Sequence, residues 1–217
     1  MSERTRLWLA ALVPLGALAG TAVLAAARWP RYWEWVALED SPMRFLQALL
    51  LFGAALLAAL LALLAALDGR PAAERRAWLC GAVGFAYLML DERFALHERL
   101  RDNALAGLGL GLPWGSPGDY LLVAYLGAAL VLLPHLLRLL REEPAAFRFF
   151  IAGALLGAIA VSADTLDVER MSPAAERLEQ TLEEVVEIAS ASFLAAALFL
   201  VLYRRLAERR AVSARSG

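Results

Sequence analysis

The chain has 217 residues, 61% of them hydrophobic, and a formal net charge of −1. A soluble domain is about 45–50% apolar, and here the excess is gathered into long runs of Ala, Leu, Val and Phe. That pattern excludes a disordered chain, a nucleic-acid binder and a disulfide-stapled secreted domain, the last because Cys80 is the single cysteine.

About 20 apolar residues carry a helix across a bilayer. Six segments reach or approach that length, near residues 7–27, 45–67, 77–100, 120–140, 147–167 and 183–203. They predict an all-α polytopic membrane bundle forming one integral membrane domain. The first segment follows the short basic start Met1 to Arg6, and a cleaved signal is the alternative there. Its apolar run is long for a signal peptide, so a retained helix is expected. Residues 29–42 mix Trp, Tyr and Arg with Glu34, Glu39 and Asp40 and read as a segment lying on the membrane surface. The third segment starts at Ala77 and meets Asp91 and Glu92 before it can finish crossing. Between the third and fourth, residues 103–119 are rich in Gly and Pro, the composition of a mobile or partly re-entrant connection. The fifth ends in Asp164, and the sixth is preceded by Glu183 and Glu184.

All 21 basic residues are Arg. With six spans, the two termini and the second and fourth loops share one side, which holds 13 of them. The positive-inside rule then puts both termini in the cytoplasm of a bacterial inner membrane. Of the 22 acids, 16 fall on or near the opposite side. Trp8 and Trp78 at inner helix ends, and Trp29, Trp33 and Trp35 at outer ones, read as lipid-interface anchors.

The acids gather at three helix ends. On a continuous third helix, at roughly 100° per residue, Asp91 and Glu98 share a face with Asp102, Glu92 lies beside them, and His97 points away from Asp91. Asp164 and Asp167, three apart, share a face of the fifth helix. Glu176, Glu179, Glu183 and Glu187 form one stripe at the start of the sixth, with Glu184 beside it and Ser190 continuing inward. Asp91 and Asp164 sit at similar depths, about 21 and 25 Å along their helices at 1.5 Å per residue. Residues 91–102 and 164–187 hold 12 acids and five Arg, so arginine pairing inside those segments cannot neutralise them. A carboxylate at mid-membrane costs about 2.5–3.5 kcal/mol on insertion scales. Protonation, a bound cation or a wet cavity must supply the difference.

Asp91, Glu92, His97, Glu98, Asp164, Asp167, Glu183, Glu184 and Glu187 are therefore the candidate ligands of a divalent metal ion. Oxygen donors suit Ca²⁺, Mg²⁺ or Mn²⁺, and an added imidazole admits Zn²⁺ or Fe²⁺. A proton or cation relay is the alternative use of the same residues; a solvated, Arg-paired rim is the bland one and suits Glu169, Glu176 and Glu179. The chain lacks Glu-x-x-His, which argues against a di-iron bundle. It also lacks a P-loop, a dinucleotide fingerprint and a haem-attachment motif. Ser162, Ser190 and Ser192 have no nucleophile context and are expected to bond backbone; His135 is expected to be a packed or interfacial residue, and Cys80 a small core residue.

Asp91-Glu92-x4-His97-Glu98 in one span and Glu183-Glu184-x2-Glu187 opening the last resemble the signatures of a group of uncharacterised bacterial multi-pass membrane proteins. The resemblance implies that these acids belong together and brings no established activity. The expected function is divalent-cation binding by an outward-facing carboxylate cluster, for transport or sensing. The alternatives are a membrane-embedded metal-dependent enzyme acting on a lipid or periplasmic substrate, and a non-catalytic scaffold with an acidic face. The expected partners are membrane lipids and the cation, with no nucleic acid.

Overall fold

A computed structural model describes residues 3–38, 41–100, 103, 120–163 and 172–216, and all its regular elements are helices. In chain order they are α1 (Glu3–Ala27), α2 (Trp33–Val36), α3 (Pro42–Leu67), α4 (Ala72–Phe94), α5 (Leu96–Leu100), α6 (Tyr120–Leu140), α7 (Pro144–Ala163) and α8 (Pro173–Ser216). Among the described residues, α1, α3, α7 and α8 contain stretches long and apolar enough to cross a membrane. Their outward faces are apolar too: Leu12, Phe52, Leu155 and Ile159 are all more than half exposed. A soluble fold would hide such a surface.

Helix ends follow local chemistry. Ser41 caps α3 by accepting from the Arg44 amide at 3.3 Å, and Pro42 takes the first turn, where its missing N–H costs nothing. Ser172 and Pro173 repeat that start at α8. α3 stops in a Schellman turn: Gly69 adopts φ +63°, the Arg70 amide donates to Ala65 O at 2.9 Å, and Pro71 blocks continuation.

α8 is the centre of the bundle and packs against α1, α3 and α7; α4 lies on α3, and α6 makes smaller contacts with α4 and α7. Its 44 residues span roughly 66 Å at 1.5 Å per residue, longer than a bilayer core. Glu184, Ile188, Ala191, Ala195, Leu198 and Arg205 form a buried stripe at helical spacing. Small residues let the backbones approach. A methyl group on Gly153 would lie 2.8 Å from Leu194 Cγ and 3.0 Å from Ser190 O, and Ser190 donates to Gly153 O at 2.8 Å. This close α7–α8 contact is the type that replaces hydrophobic drive between helices in lipid.

Arginine–acid pairs hold one end of the bundle. Arg6 grips Glu143 with two bonds of 3.0 and 3.1 Å, Arg205 bonds Glu74 at 2.7 Å, Arg209 bonds Asp68 at 2.7 Å, and Arg204 pairs with Glu142. Arg6 and Arg204 both reach the turn between α6 and α7, so the start of α1 and the end of α8 lie at the same end.

Three expectations change. The third segment is not one helix to residue 100, because Ala95 takes a left-handed φ of 47° and separates α4 from α5. Trp78 is 1% exposed: it lies on the inner face of α4 with Ala82 and Phe85 and is a core residue rather than an interface anchor. Cys80 is exposed because it falls on the opposite face of α4 from that stripe. Ser162, Ser190 and Ser192 each bond a backbone carbonyl, and His135 is exposed and bonds Val131 O.

Gly153→Ala should lower the melting temperature of detergent-solubilised protein. Overpacking costs about 1–3 kcal/mol, of which the better helix propensity of Ala returns about 1 kcal/mol. Gly53→Ala, where the added methyl meets nothing within 4 Å, should raise it. Equal shifts for the two would contradict the close α7–α8 approach.

Candidate functional site

The end opposite the arginine pairs is built by the start of α3, the end of α4 and the start of α8. Each polar side chain is there because it lies on a stripe that is apolar elsewhere. On α3, Gln47 precedes Leu51, Ala54, Ala58 and Leu61 on the buried face. On α4, Glu92 continues the row of Trp78, Ala82 and Phe85. On α8, Glu184 is one turn before Ile188.

Glu92, Glu184 and Glu187 each offer a carboxylate oxygen within 4.8 Å of the others. Gln47 ties two of them together: its Nε2 donates to Glu92 Oε2 at 3.1 Å and to Glu187 Oε2 at 2.9 Å. The amide orientation follows from this, since the reverse would point its carbonyl at two carboxylates. Arg44 donates from Nε to Glu184 Oε1 at 3.2 Å and lies 3.9 Å from Glu92 Oε1, so these two carboxylates share one guanidinium. Gln47 and Glu184 are each 5% exposed.

Three buried oxygens of this group accept no hydrogen bond among the described residues: Gln47 Oε1, Glu92 Oε1 and Glu184 Oε2. A buried acceptor left without a donor costs about 1–3 kcal/mol, and a cation would satisfy several at once. The walls are apolar. Ala17, Val36, Met43 and Ile188 cluster beside the group, and Leu51 and Ala191 belong to the main core.

Asp91 faces elsewhere. Its Oδ1 accepts from the His97 amide at 2.7 Å, and its Oδ2 is 2.9 Å from His97 Nδ1. The left-handed Ala95 makes this possible by breaking the helix between them. The two residues that an unbroken helix would point apart become partners, and the imidazole is committed to Asp91. Glu183 is half-buried next to Glu184 and outside the three-carboxylate group. Glu98 lies in α5, and nothing is described of its side chain; Asp164, Asp167 and the Gly/Pro-rich stretch 104–119 lie outside the described residues.

Arg44 and Gln47 are members of the cluster that the spacing of acids does not reveal. A signal for Gln47 was present, because it is the single polar side chain in the run from Phe45 to Leu67. A lone amide in such a run has to find a partner inside the bundle.

The chain belongs to the family described as a domain of unknown function, DUF8692, whose model matches residues 4–202. No curated protein and no solved structure matches it.

Arg44→Gln should lower the melting temperature of the protein in chelator, at a cost of about 1–3 kcal/mol for a charge left without its partner. Adding Glu184→Gln to that variant should recover part of the loss. A double-mutant cycle by thermal unfolding measures the coupling. Strictly additive losses would mean that the two side chains do not interact.

Proposed function

We propose that this is a six-span membrane protein, with both termini in the cytoplasm of a bacterial inner membrane, whose carboxylate cluster binds a divalent cation for sensing or transport. The observation that carries the reading is the convergence of Glu92, Glu184 and Glu187 with Gln47, a group in which three buried oxygens accept no hydrogen bond among the described residues. Carboxylate and amide oxygens are the donors preferred by Ca²⁺, Mg²⁺ and Mn²⁺. With His97 turned to Asp91, the donor set is all oxygen, which weighs against Zn²⁺ and Fe²⁺.

Two further features support the assignment. The 13 Arg of the loops and termini on one side favour the proposed orientation. The helix faces that continue inward from the cluster, with Leu51, Ala54, Ala191 and Ala195, are apolar and closely packed. That arrangement favours holding a cation at one end of the bundle over conducting it through a single subunit, so sensing is the better-supported use.

Detergent-purified protein equilibrated with Ca²⁺, Mg²⁺ or Mn²⁺ and desalted should retain about one ion per chain by elemental analysis, as one oxygen-lined site requires. Glu184→Gln and Glu187→Gln should each abolish retention, while Glu176→Gln leaves it unchanged. Carboxylates must be ionised to ligate. Retention should therefore fall as pH drops and recover when pH is raised. A wild type that retains none of the three ions, or variants that retain as much as wild type, would sink the reading.

A further inference from the structure

At the opposite end of the bundle, α1 and α7 both pack against α8 and barely touch each other. Between them lies a cleft of about 410 Å³ lined by Arg4, Leu7, Trp8, Ala11, Arg148 and Phe149. Its two walls are tied together, because Arg6 on α1 holds Glu143 in the turn before α7. The lining is sorted by chemistry. On α1, Arg4 and Trp8 are one turn apart on the same face, as are Leu7 and Ala11. Arg148 stands one turn into α7, where its Nε donates to Pro144 O at 3.3 Å. Neither Arg4 nor Arg148 has an acidic partner among the described residues. The acids Asp68, Glu74, Glu142 and Glu143 are engaged by Arg209, Arg205, Arg204 and Arg6.

We infer that this cleft binds an anionic phospholipid, with the phosphate between Arg4 and Arg148 and an acyl chain along Leu7, Ala11 and Phe149. The argument is charge and polarity complementarity. An apolar groove with an arginine on each of its two helices matches a molecule that is anionic at one end and hydrocarbon at the other. Trp8 is 60% exposed and one turn from Arg4, as suits an indole among headgroups. A soluble anion would leave the apolar wall uncovered, and an uncharged lipid would leave both arginines without a counter-ion. The inference rests on the membrane placement proposed above and is independent of the cation site.

The test is native mass spectrometry of the full chain in detergent, titrated with phosphatidylglycerol, phosphatidylcholine or inorganic phosphate, alongside thermal unfolding in each. Phosphatidylglycerol should bind and raise the melting temperature; the other two should not. Arg4→Gln with Arg148→Gln should weaken phosphatidylglycerol binding about ten- to thirtyfold, from roughly 1 kcal/mol per basic residue near the headgroups. Arg141→Gln with Arg210→Gln, which removes the same charge at that end away from the cleft, should leave it unchanged. Ala11→Trp should block binding by filling the groove without altering charge. The inference is overturned by equal binding of phosphatidylcholine, by an equal effect of phosphate, by an equal loss in the control pair, or by unaltered binding in Ala11→Trp. Retention of the divalent cation should be the same in all these variants, so failure here and failure of the cation site are read separately.

Discussion

The bundle depends on α8 being seated close against three other helices along one continuous stripe. Its middle is Ala, Ser and Leu, small enough for Ser190 to reach the Gly153 carbonyl of α7. Its two ends are polar, Glu184 at one and Arg205 at the other, each about 5% exposed or less. A buried charge must be answered by its surroundings, and the two ends answer it differently. At the Arg205 end, Asp68, Glu74, Glu142 and Glu143 each have an arginine within bonding distance. At the Glu184 end, two carboxylates share Arg44, a third stands beside them, and three buried oxygens accept no hydrogen bond among the described residues. The first arrangement is a fastening. The second gathers three carboxylates near one guanidinium in a packed environment, an arrangement that suits a cation.

The break at Ala95 sorts the acids of α4. A left-handed conformation at a residue with a Cβ costs roughly 1–2 kcal/mol. The two contacts from Asp91 to His97, one to the amide and one to the ring, act against that cost. The turn thereby pairs Asp91 with His97 and leaves Glu92 facing α3 and α8. Neighbouring residues that look equivalent as letters thus do different work: Asp91 bonds across the helix break, and Glu92 enters the three-carboxylate group.

Opposite chemistries at the two ends suit a protein whose sides meet different surroundings. The α8 arginines and the α1–α7 cleft face the end where both termini lie. The carboxylates gather where α3 and α8 begin. The apolar packing of the main core lies between the two.

Much of this was legible in the residues. Long apolar runs impose helices, because backbone groups in lipid must be satisfied within the segment, and α1, α3, α7 and α8 follow from them. Acids crowding helix ends against few arginines marked the end of the bundle that matters, and Glu92, Glu184 and Glu187 were among the candidates for that reason. Tertiary structure alone decided which acids meet. Periodicity specifies the face of a residue only while the helix continues, so the pairing of His97 with Asp91 depended on one left-handed residue. It also specifies nothing about the neighbouring helix, so Gln47 and Arg44, remote in sequence, were found only once α3 lay against α4 and α8. Trp78 shows the same limit: its position at a helix end fits an interface anchor, but the packing of α4 on α3 turned that face into the core.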